Sequence, residues 1–432
     1  MTDKKYIYIV QQRQEISKCK IGITSDIEQR LSTYNATTGI PKDNPFVYLF
    51  TAEVRDAHKV EKDLKADFRR LREVKSNEIY FYNEDLFQEY VDYIKSHPDF
   101  IVEIPCEVKN NIKEVVVVKT DKKSLKEREV SRKDIMQTAQ KTQNDEFYTR
   151  YEDIEKEVAM YEPRIWKNKV VFCNCDDPVD SKTEEERKSS AFALFFIKNF
   201  DKLQLKKLIC IHYTGGLDLF GAGAKAYIFT KDGFEEKKDY PKNFTGSFDD
   251  PLSIKILREE ADIVCTNPPF SKAAAFWRLL IESGKKFLII SNIANVITPV
   301  FIPYIQKGLV WAGYNEVDWY LDPKRQPTRA AGFWYTNLRR KNRYNTEKVV
   351  KLKDIPVRWK YIDDNGVLCI DRCWIPSDYK KPFAVSAYPI LKGILELGYE
   401  IVLDNQYFPY KNGKKKFGRC LIQKKKKHNR TL

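Results

Sequence analysis

The chain has 432 residues, a formal net charge of +15 and 42% hydrophobic residues. This length exceeds one typical hydrophobic core and predicts two or three domains. The positive charge favours a polyanionic partner. No apolar run approaches the length of a membrane span and no targeting segment opens the chain, so we expect a cytoplasmic protein without membrane contact. The nine cysteines, an odd number, indicate reduced thiols.

The first 105 residues predict a small α/β domain. Ser25 or Asp26 is expected to cap its first helix, which carries Arg30. The apolar patterning predicts strands at residues 6–10, 19–24 and 77–82, and helices at residues 27–34, 57–71 and 86–94.

Two short motifs, Tyr6-Ile7-Tyr8 and Lys20-Ile21-Gly22, precede the helix with Arg30 and the strand at Glu78. This order resembles the GIY-YIG nuclease superfamily. The resemblance implies that Tyr8 and Lys20 activate or orient water and that Arg30 contacts the phosphate. It also implies that Glu78 holds a divalent metal such as Mg²⁺, because a hard cation on a carboxylate polarises the scissile phosphate.

The N-terminal block departs from that superfamily at three positions. Tyr6 replaces the first glycine, Lys20 replaces the second tyrosine, and Tyr34 replaces a histidine one turn after the arginine. The alternative is that the two motifs only pack a hairpin and that Glu78 is a solvated charge. Active cleavage, and a domain that has lost cleavage and only binds DNA, both stay open.

A charged segment at residues 106–143 is predicted to link two domains. Lys119–Gln143 contains no aromatic residue, and Leu125–Ala139 could form a solvated helix.

The remaining block, residues 144–432, predicts a doubly wound α/β fold. Strands alternate with helices, and this order is typical of a parallel sheet. In such sheets ligands bind beyond the carboxyl ends of the strands. Asp176-Asp177 and Asn267–Phe270 both follow strand ends, which could place them in one cleft. The strands are predicted at residues 169–174, 208–213, 261–266 and 287–292, and the helices at residues 190–200, 252–259 and 273–283.

The segment Asn267-Pro268-Pro269-Phe270 is the motif with the clearest chemistry. Two successive prolines end the strand in a rigid turn. The side chain of Asn267 and the carbonyl of Pro268 can accept hydrogen bonds from an exocyclic amine, and Phe270 can stack on a planar ring. The alternative is a turn whose phenylalanine fills the core.

This motif and its surroundings resemble the EcoRI-type adenine-specific DNA methyltransferases. The resemblance implies a Rossmann-like domain that moves a methyl group from S-adenosylmethionine to the N6 amine of a flipped adenine in double-stranded DNA. It assigns catalysis to the segment Asn267–Phe270. It assigns the cofactor pocket to Phe147, Tyr148, Asp176, Asp177 and Asp249. Further matching pieces are Asp145–Thr149, Ala261–Val264, Lys286–Ile290, Gly332–Leu338 and Ile375–Tyr379.

Some of these assignments have equally good structural readings. Phe147 and Tyr148 could be core aromatics, and Asp249 and Asp250 could cap the following helix. The glycine-rich loop that usually follows the first strand is absent, and Asp176-Asp177-Pro178 stands there instead.

Together the two resemblances predict a DNA-acting enzyme of a bacterial or phage-infected cell. The rivals are a single-chain restriction-modification enzyme, a methyltransferase with a DNA-binding N-terminal domain, and an RNA or protein methyltransferase. No P-loop is present, so we expect no ATP-driven step. A monomer is compatible with the sequence. The candidate DNA-contacting segments are Gly215–Gly246, Trp311–Trp334, Arg339–Lys341 and Lys414–Arg430.

Overall fold

A computed structural model describes the chain in segments. These segments are residues 5–13, 15, 17–37, 40–41, 44–106, 148–179, 190–213, 224–237, 240–241, 244–269, 272–321, 326–339, 348–403 and 405–425. The chain divides into two compact units. The first comprises Met1–Ser131 and Lys167–Asp250, and the second comprises Arg132–Trp166 and Pro251–Leu432.

The α-helices are α1 (Ile27–Ala36), α2 (Ala57–Asp67), α3 (Glu84–Ser96), α4 (Tyr151–Val158), α5 (Ala191–Lys198), α6 (Pro251–Glu259), α7 (Ala273–Glu282), α8 (Ile302–Gln306) and α9 (Ala387–Leu391). The strands of the first unit are β1 (Tyr6–Gln12), β2 (Lys18–Thr24), β3 (Phe46–Val54), β4 (Ile79–Phe81), β5 (Phe100–Glu103), β6 (Val170–Cys173), β7 (Lys207–His212), β8 (Lys225–Thr230) and β9 (Gly233–Lys237).

The strands of the second unit are β10 (Ile263–Thr266), β11 (Lys286–Asn292), β12 (Trp311–Leu321), β13 (Pro327–Thr336), β14 (Val349–Val350), β15 (Lys360–Ile362), β16 (Leu368–Ile370), β17 (Ile375–Pro376), β18 (Phe383–Val385), β19 (Tyr399–Ile401), β20 (Tyr410–Lys411), β21 (Lys414–Lys415) and β22 (Cys420–Lys424).

The N-terminal part of the first unit is an antiparallel sheet with the strand order β4-β2-β1-β3-β5. Strand β1 is central, and its residues from Ile7 to Val10 are fully buried. The predicted cap is confirmed, because the Asp26 side chain accepts a hydrogen bond from the Gln29 backbone N–H at 2.9 Å. Strand β3 was not predicted from the sequence. It matters because it contributes Tyr48 to the cluster described below.

The same unit contains four further strands in the order β6-β7-β8-β9. Strands β6 and β7 are parallel, as predicted, whereas β8 and β9 form an antiparallel hairpin beside β7. This hairpin lies inside Gly215–Gly246, one of the candidate DNA-contacting segments. Its two-residue turn is Lys231-Asp232, because Thr230 and Gly233 are already paired across the strands.

The hairpin β8–β9 packs directly on the N-terminal sheet. The ring of Phe81 in β4 meets the rings of Tyr227, Phe229 and Phe234 edge-on, with centroids 5.4, 5.1 and 5.2 Å away. The backbone N–H of Phe234 also donates to the Arg72 carbonyl at 2.9 Å. The two parts of this unit therefore share one buried aromatic core.

In the second unit, β10 and β11 are parallel, and β11, β13 and β12 continue as antiparallel neighbours. The pairing is thus mixed, because hairpin-connected strands adjoin the parallel pair. A separate sheet follows, with the order β15-β16-β18-β22-β19. The coarse prediction of a mixed α/β fold is confirmed.

Several predictions lie outside the described residues. These are the linker helix at Leu125–Ala139, most of the segment 106–143, and the residues Phe147 and Phe270. The domain boundaries at residues 105 and 144 stay predictions. Within the part of the chain that the structure describes, no helix is long and apolar enough to cross a membrane.

Candidate active sites

The N-terminal sheet carries a cluster of aromatic and charged side chains around Tyr8. The Tyr8 ring is fully buried, and its hydroxyl lies 2.8 Å from the Tyr34 hydroxyl. The Arg30 Nε–H donates a hydrogen bond to the same Tyr8 oxygen at 3.1 Å. The Tyr48 ring packs edge-on against Tyr8, with centroids 5.4 Å apart. Burial raises the pKa of Tyr8 well above its ordinary value, so Tyr8 is a neutral phenol near pH 7.

Gly22 makes room for the Tyr8 ring. It is the direct cross-strand partner of Tyr8, and a Cβ atom at this position would lie 2.6 Å from the Tyr8 hydroxyl oxygen. Any larger residue would therefore push the phenol out of its place. The glycine of the second motif has a physical role that does not depend on the resemblance.

Two cations lie against Tyr34. The Arg30 guanidinium is 4.7 Å and the Lys20 ammonium 4.8 Å from the centre of the Tyr34 ring. Both distances are in the range of cation–π attraction. In the sequence, Tyr34 is only a departure from the expected histidine. The structure brings it into hydrogen-bonding contact with Tyr8.

Glu78 lies beside Lys20, with 2.9 Å between carboxylate and ammonium. Partial burial opposes ionisation of Glu78, but the hydrogen bond and charge of Lys20 outweigh it, so the pKa of Glu78 lies below its ordinary value. The structure therefore links the four predicted residues Tyr8, Lys20, Arg30 and Glu78 in one chain of contacts through Tyr34.

The fit of a divalent metal to this cluster is limited. Among the described residues, no three His, Cys, Asp or Glu side chains come together as metal ligands. A single carboxylate can hold Mg²⁺ together with waters and a substrate phosphate. In the structure one carboxylate oxygen of Glu78, Oε2, is paired with the Lys20 ammonium.

The second candidate site follows strand β6. The Asp176 side chain is buried, and its Oδ1 atom accepts a hydrogen bond from the Ser190 hydroxyl at 3.0 Å. Ser190 in turn accepts from the Ala193 N–H and caps α5. The Asp177 Oδ1 atom accepts from the Val179 N–H at 2.8 Å. Both carboxylates are thus fixed between the end of β6 and the start of α5.

The third candidate site follows strand β10 in the second unit. All four residues of β10 are buried, and Asn267 follows it directly. The Oδ1 atom of Asn267 is buried, Pro268 is buried, and Pro269 is half-buried. The Pro269 carbonyl accepts a hydrogen bond from the Lys272 N–H at 3.2 Å, just before α7. The predicted order of strand, rigid turn and helix is confirmed.

Strand β11 ends at the same edge as β10, because the two are parallel. At that end Ser291 is buried, and its Oγ atom accepts hydrogen bonds from Asn295 Nδ2 at 2.6 Å and Trp277 Nε1 at 3.4 Å. Trp277 belongs to α7, the helix that follows the turn. These bonds tie α7 to the edge of the sheet that carries Asn267.

Two predicted cofactor residues have clear structural roles. Tyr148 exchanges two backbone hydrogen bonds with Leu321, both 2.8 Å long, and this bridge precedes α4. Asp249 is exposed and accepts a hydrogen bond from the Ser247 hydroxyl. Its neighbour Asp250 accepts from the Thr245 N–H at 3.1 Å. The binding roles predicted for Tyr148 and Asp249 stay predictions.

Comparison with known proteins identifies relatives of the C-terminal block. Residues 135–332 match the family described as adenine-specific methyltransferase EcoRI. The type II methyltransferase M.MgeORF184P of Mycoplasma genitalium is 30% identical over 332 residues, which cover 66% of this chain and 97% of that protein. The chain belongs to the EcoRI-type adenine-specific methyltransferase family. It is therefore an enzyme of the methyltransferase class.

Two further relatives match over shorter stretches. The type II methyltransferase M.EcoRI of Escherichia coli is 35% identical over 195 residues, or 42% of this chain and 55% of that protein. The type II methyltransferase M.MpnI of Mycoplasma pneumoniae is 38% identical over 177 residues, or 41% of this chain and 50% of that protein. This chain thus matches about half the length of these two relatives.

The N-terminal block matches a different family. Residues 5–102 match the T5orf172 domain, which is nuclease-like and compatible with the predicted GIY-YIG resemblance. No solved structure matches the chain.

Proposed function

We propose that the chain transfers a methyl group from S-adenosylmethionine to the N6 amine of adenine in double-stranded DNA, on a Rossmann-like domain. The observation that carries this proposal is the Asn267-Pro268-Pro269 turn, which directly follows the buried parallel strand β10 in a chain of the adenine-specific family. Ligands of such sheets bind beyond the carboxyl ends of the strands.

The proposed mechanism rests on hydrogen-bond acceptors. The lone pair of an adenine amine is delocalised into the ring, so the amine is a poor nucleophile. The Asn267 Oδ1 atom and the Pro268 carbonyl each accept a hydrogen bond from one N–H of the amine. These two bonds favour a pyramidal nitrogen. The rigid turn holds both acceptors in place before the substrate arrives, so positioning supplies most of the rate. Because the amine cannot be reached inside a duplex, the adenine is flipped out, and Phe270 is the proposed stacking partner.

The proposed binding residues for the methyl donor are Asp176 and Asp177, and Phe147, Tyr148 and Asp249 are further candidates. S-adenosylmethionine supplies the methyl group on a sulfonium and also carries an α-amine and a ribose diol. Carboxylates suit these groups, and the hydrogen bonds from Ser190 and Val179 hold Asp176 and Asp177 in fixed orientations. This donor set fits the cofactor.

A transfer assay with methyl-labelled S-adenosylmethionine tests the proposal. Purified protein is offered duplex DNA, tRNA or a protein mixture in parallel. We expect label in DNA, and nuclease digestion should release it as N6-methyladenine. Label confined to tRNA or protein, or found on cytosine, would contradict the proposal.

A second activity, DNA cleavage by the N-terminal domain, is favoured by the Tyr8 cluster. The Arg30 guanidinium is available to neutralise a phosphate, and the Tyr8 and Tyr34 phenols can orient a water. With both activities the chain would be a single-chain restriction-modification enzyme. Without cleavage, the N-terminal domain would serve DNA binding alone.

Incubation of unmethylated phage DNA with the protein and Mg²⁺ separates these two outcomes. If the domain cleaves, Glu78→Gln should reduce cutting at least 100-fold, whereas the exposed Glu103→Gln should leave it unchanged. Intact DNA with the wild-type protein over a broad range of sequences would contradict the nuclease activity.

A further inference from the structure

The C-terminal sheet carries a hairpin, Tyr407–Arg419, that we call the basic ribbon. Its strands are β20 and β21, and Asn412 and Gly413 form the turn between them. Both turn residues have positive φ, 54° and 69°, as a two-residue type I′ turn requires. At the other end, Tyr407 and Arg419 exchange backbone hydrogen bonds of 2.9 and 2.7 Å. The ribbon is therefore a closed, two-stranded projection.

The ribbon is anchored along its length. The Asp364 carboxylate accepts hydrogen bonds from the Asn412 and Gly413 N–H groups at 3.0 and 2.8 Å. The Asp364 N–H donates to the Tyr410 carbonyl at 2.8 Å, and the Tyr407 hydroxyl bonds to Asp363. Isolated hairpins are marginal in water. These anchors order the ribbon before any ligand binds and so lower the entropy cost of binding.

The charge of the ribbon has one sign. Every residue from 410 to 417 is exposed, and four of the eight are lysines. The ribbon contains five Lys or Arg and no Asp or Glu (Lys411, Lys414, Lys415, Lys416 and Arg419), and the sequence from residue 420 to residue 432 adds five more Lys or Arg and again no Asp or Glu. A rigid projection with this charge is complementary to a polyanion.

The two faces of the ribbon differ. The Lys411 ammonium lies 4.8 Å from the Tyr361 ring, so the face with Lys411 turns toward strand β15. Side chains alternate along a strand, so Phe408, Tyr410 and Lys415 lie on the opposite face. There the Lys415 ammonium is 3.8 Å from the Phe408 ring. The exposed fractions of the aromatic side chains are large, at 38% for Phe408, 41% for Tyr410 and 76% for Phe417.

We propose that the basic ribbon lies in the major groove of duplex DNA during methyl transfer. A two-stranded ribbon fits that groove. The lysines would contact the phosphates on both sides, and the aromatic face would meet base edges and thymine methyl groups. This inference rests on the proposed function, because it names the surface by which the same enzyme holds its DNA.

Fluorescence anisotropy with a labelled 20-base-pair duplex tests the ribbon. The variant Lys414→Glu/Lys415→Glu is compared with Lys380→Glu/Lys381→Glu, which makes the same charge change at two other exposed positions of the second unit. We expect at least a tenfold rise in Kd for the ribbon variant at about 100 mM salt. Its salt slope should fall by about two, one for each lost phosphate contact. The control should change less than threefold.

Three further measurements make the result decisive. Thermal unfolding confirms that each variant is folded, and Lys414→Gln/Lys415→Gln replaces a charge-reversal variant that does not fold. Wild-type methyl transfer to DNA is measured in parallel. If the wild-type protein methylates DNA but the ribbon variant and the Lys380/Lys381 control bind DNA equally well, the ribbon proposal is wrong and the proposed function stands. If it methylates no DNA, the proposed function fails. A ribbon variant that loses only binding to phosphatidylserine vesicles would assign the ribbon to a membrane and overturn the proposal.

Discussion

The ammonium of Lys18 in β2 lies 3.1 Å from the carboxylate of Glu236 in β9, whose side chain is fully buried. Lys18 also pairs with Glu73 at 2.7 Å, and Lys225 pairs with Glu236 at 3.0 Å. Two lysines and two glutamates thus join the nuclease-like sheet to the hairpin β8–β9. Together with the aromatic contacts of Phe81, they make the N-terminal sheet and this hairpin one packed structure.

Removal of the Glu236 charge should therefore destabilise the first unit. Glu236→Gln leaves Lys225 without its buried counter-charge, and such losses cost about 3 kcal/mol. The neighbouring Glu235 is exposed, so Glu235→Gln should change the free energy of unfolding by less than about 0.5 kcal/mol. Urea unfolding of both variants measures the difference. Equal stabilities would show that the ion pairs at Glu236 contribute nothing.

The Tyr8 hydroxyl should be essential if the N-terminal domain cleaves DNA. Tyr8→Phe removes the oxygen that Arg30 and Tyr34 contact, so cutting should fall at least 100-fold while folding is retained. Tyr48→Phe, which loses only a bond to the Ile27 carbonyl, is the control. Because burial raises the pKa of Tyr8, its ionisation should produce no rise in cleavage rate between pH 7 and pH 9. A rising limb that disappears in Tyr8→Phe would contradict this account.

Gly22→Ala should affect the same site by crowding. The added Cβ would lie 2.6 Å from the Tyr8 oxygen, closer than van der Waals contact permits. We expect a loss of about 1–3 kcal/mol in stability together with lost cleavage or weaker DNA binding by the N-terminal domain. The double variant Gly22→Ala/Tyr8→Phe should recover part of that stability. If it recovers none, the clash with Tyr8 is not the cause.

The carboxylate of Glu157 should stabilise the fold of the second unit. Its buried carboxylate accepts hydrogen bonds from the Tyr161 hydroxyl, the Tyr314 and Asn315 N–H groups and the Asn315 side chain. These bonds hold the bulge of strand β12, where the pairing register with β13 shifts between Ala312 and Glu316. Burial raises the pKa of Glu157 despite them.

Glu157→Gln places an amide N–H₂ group among these donors. It should lower the free energy of unfolding by about 2 kcal/mol, whereas Glu155→Gln on the exposed side of α4 should have little effect. Chemical denaturation compares the two variants. Wild-type stability for Glu157→Gln would mean that the bulge of β12 forms without the carboxylate.

Local signals in the sequence predicted much of this structure. The cap at Asp26, the strand before Asn267 and the helix after Pro269 all follow from residue types at fixed spacing. Strand β3 was missed, because a continuous apolar run such as Phe46–Phe50 does not distinguish strand from helix. The hairpin β8–β9 was also missed, because its second strand, Gly233–Lys237, contains one large apolar residue, Phe234, beside three charged residues and so lacks an apolar pattern.

Long-range partners could not be predicted in this way. No local pattern indicates that Lys18 pairs with Glu236, or that Tyr34 lies against Tyr8. Both contacts depend on how distant strands come together. The resemblance supplied the roles of Tyr8 and Arg30, but the structure supplied Tyr34 and Tyr48. The prediction that Asp176 and Asn267 line one cleft stays a prediction.

Methylation-sensitive sequencing of DNA from cells that express the chain is the most direct test of the central claim. The wild-type protein and the exposed control Asn365→Ala should both leave N6-methyladenine at one defined sequence. Asn267→Ala should leave none, although its thermal unfolding should match that of the wild type. N6-methyladenine that persists in Asn267→Ala, or a wild-type mark on cytosine, would contradict the account.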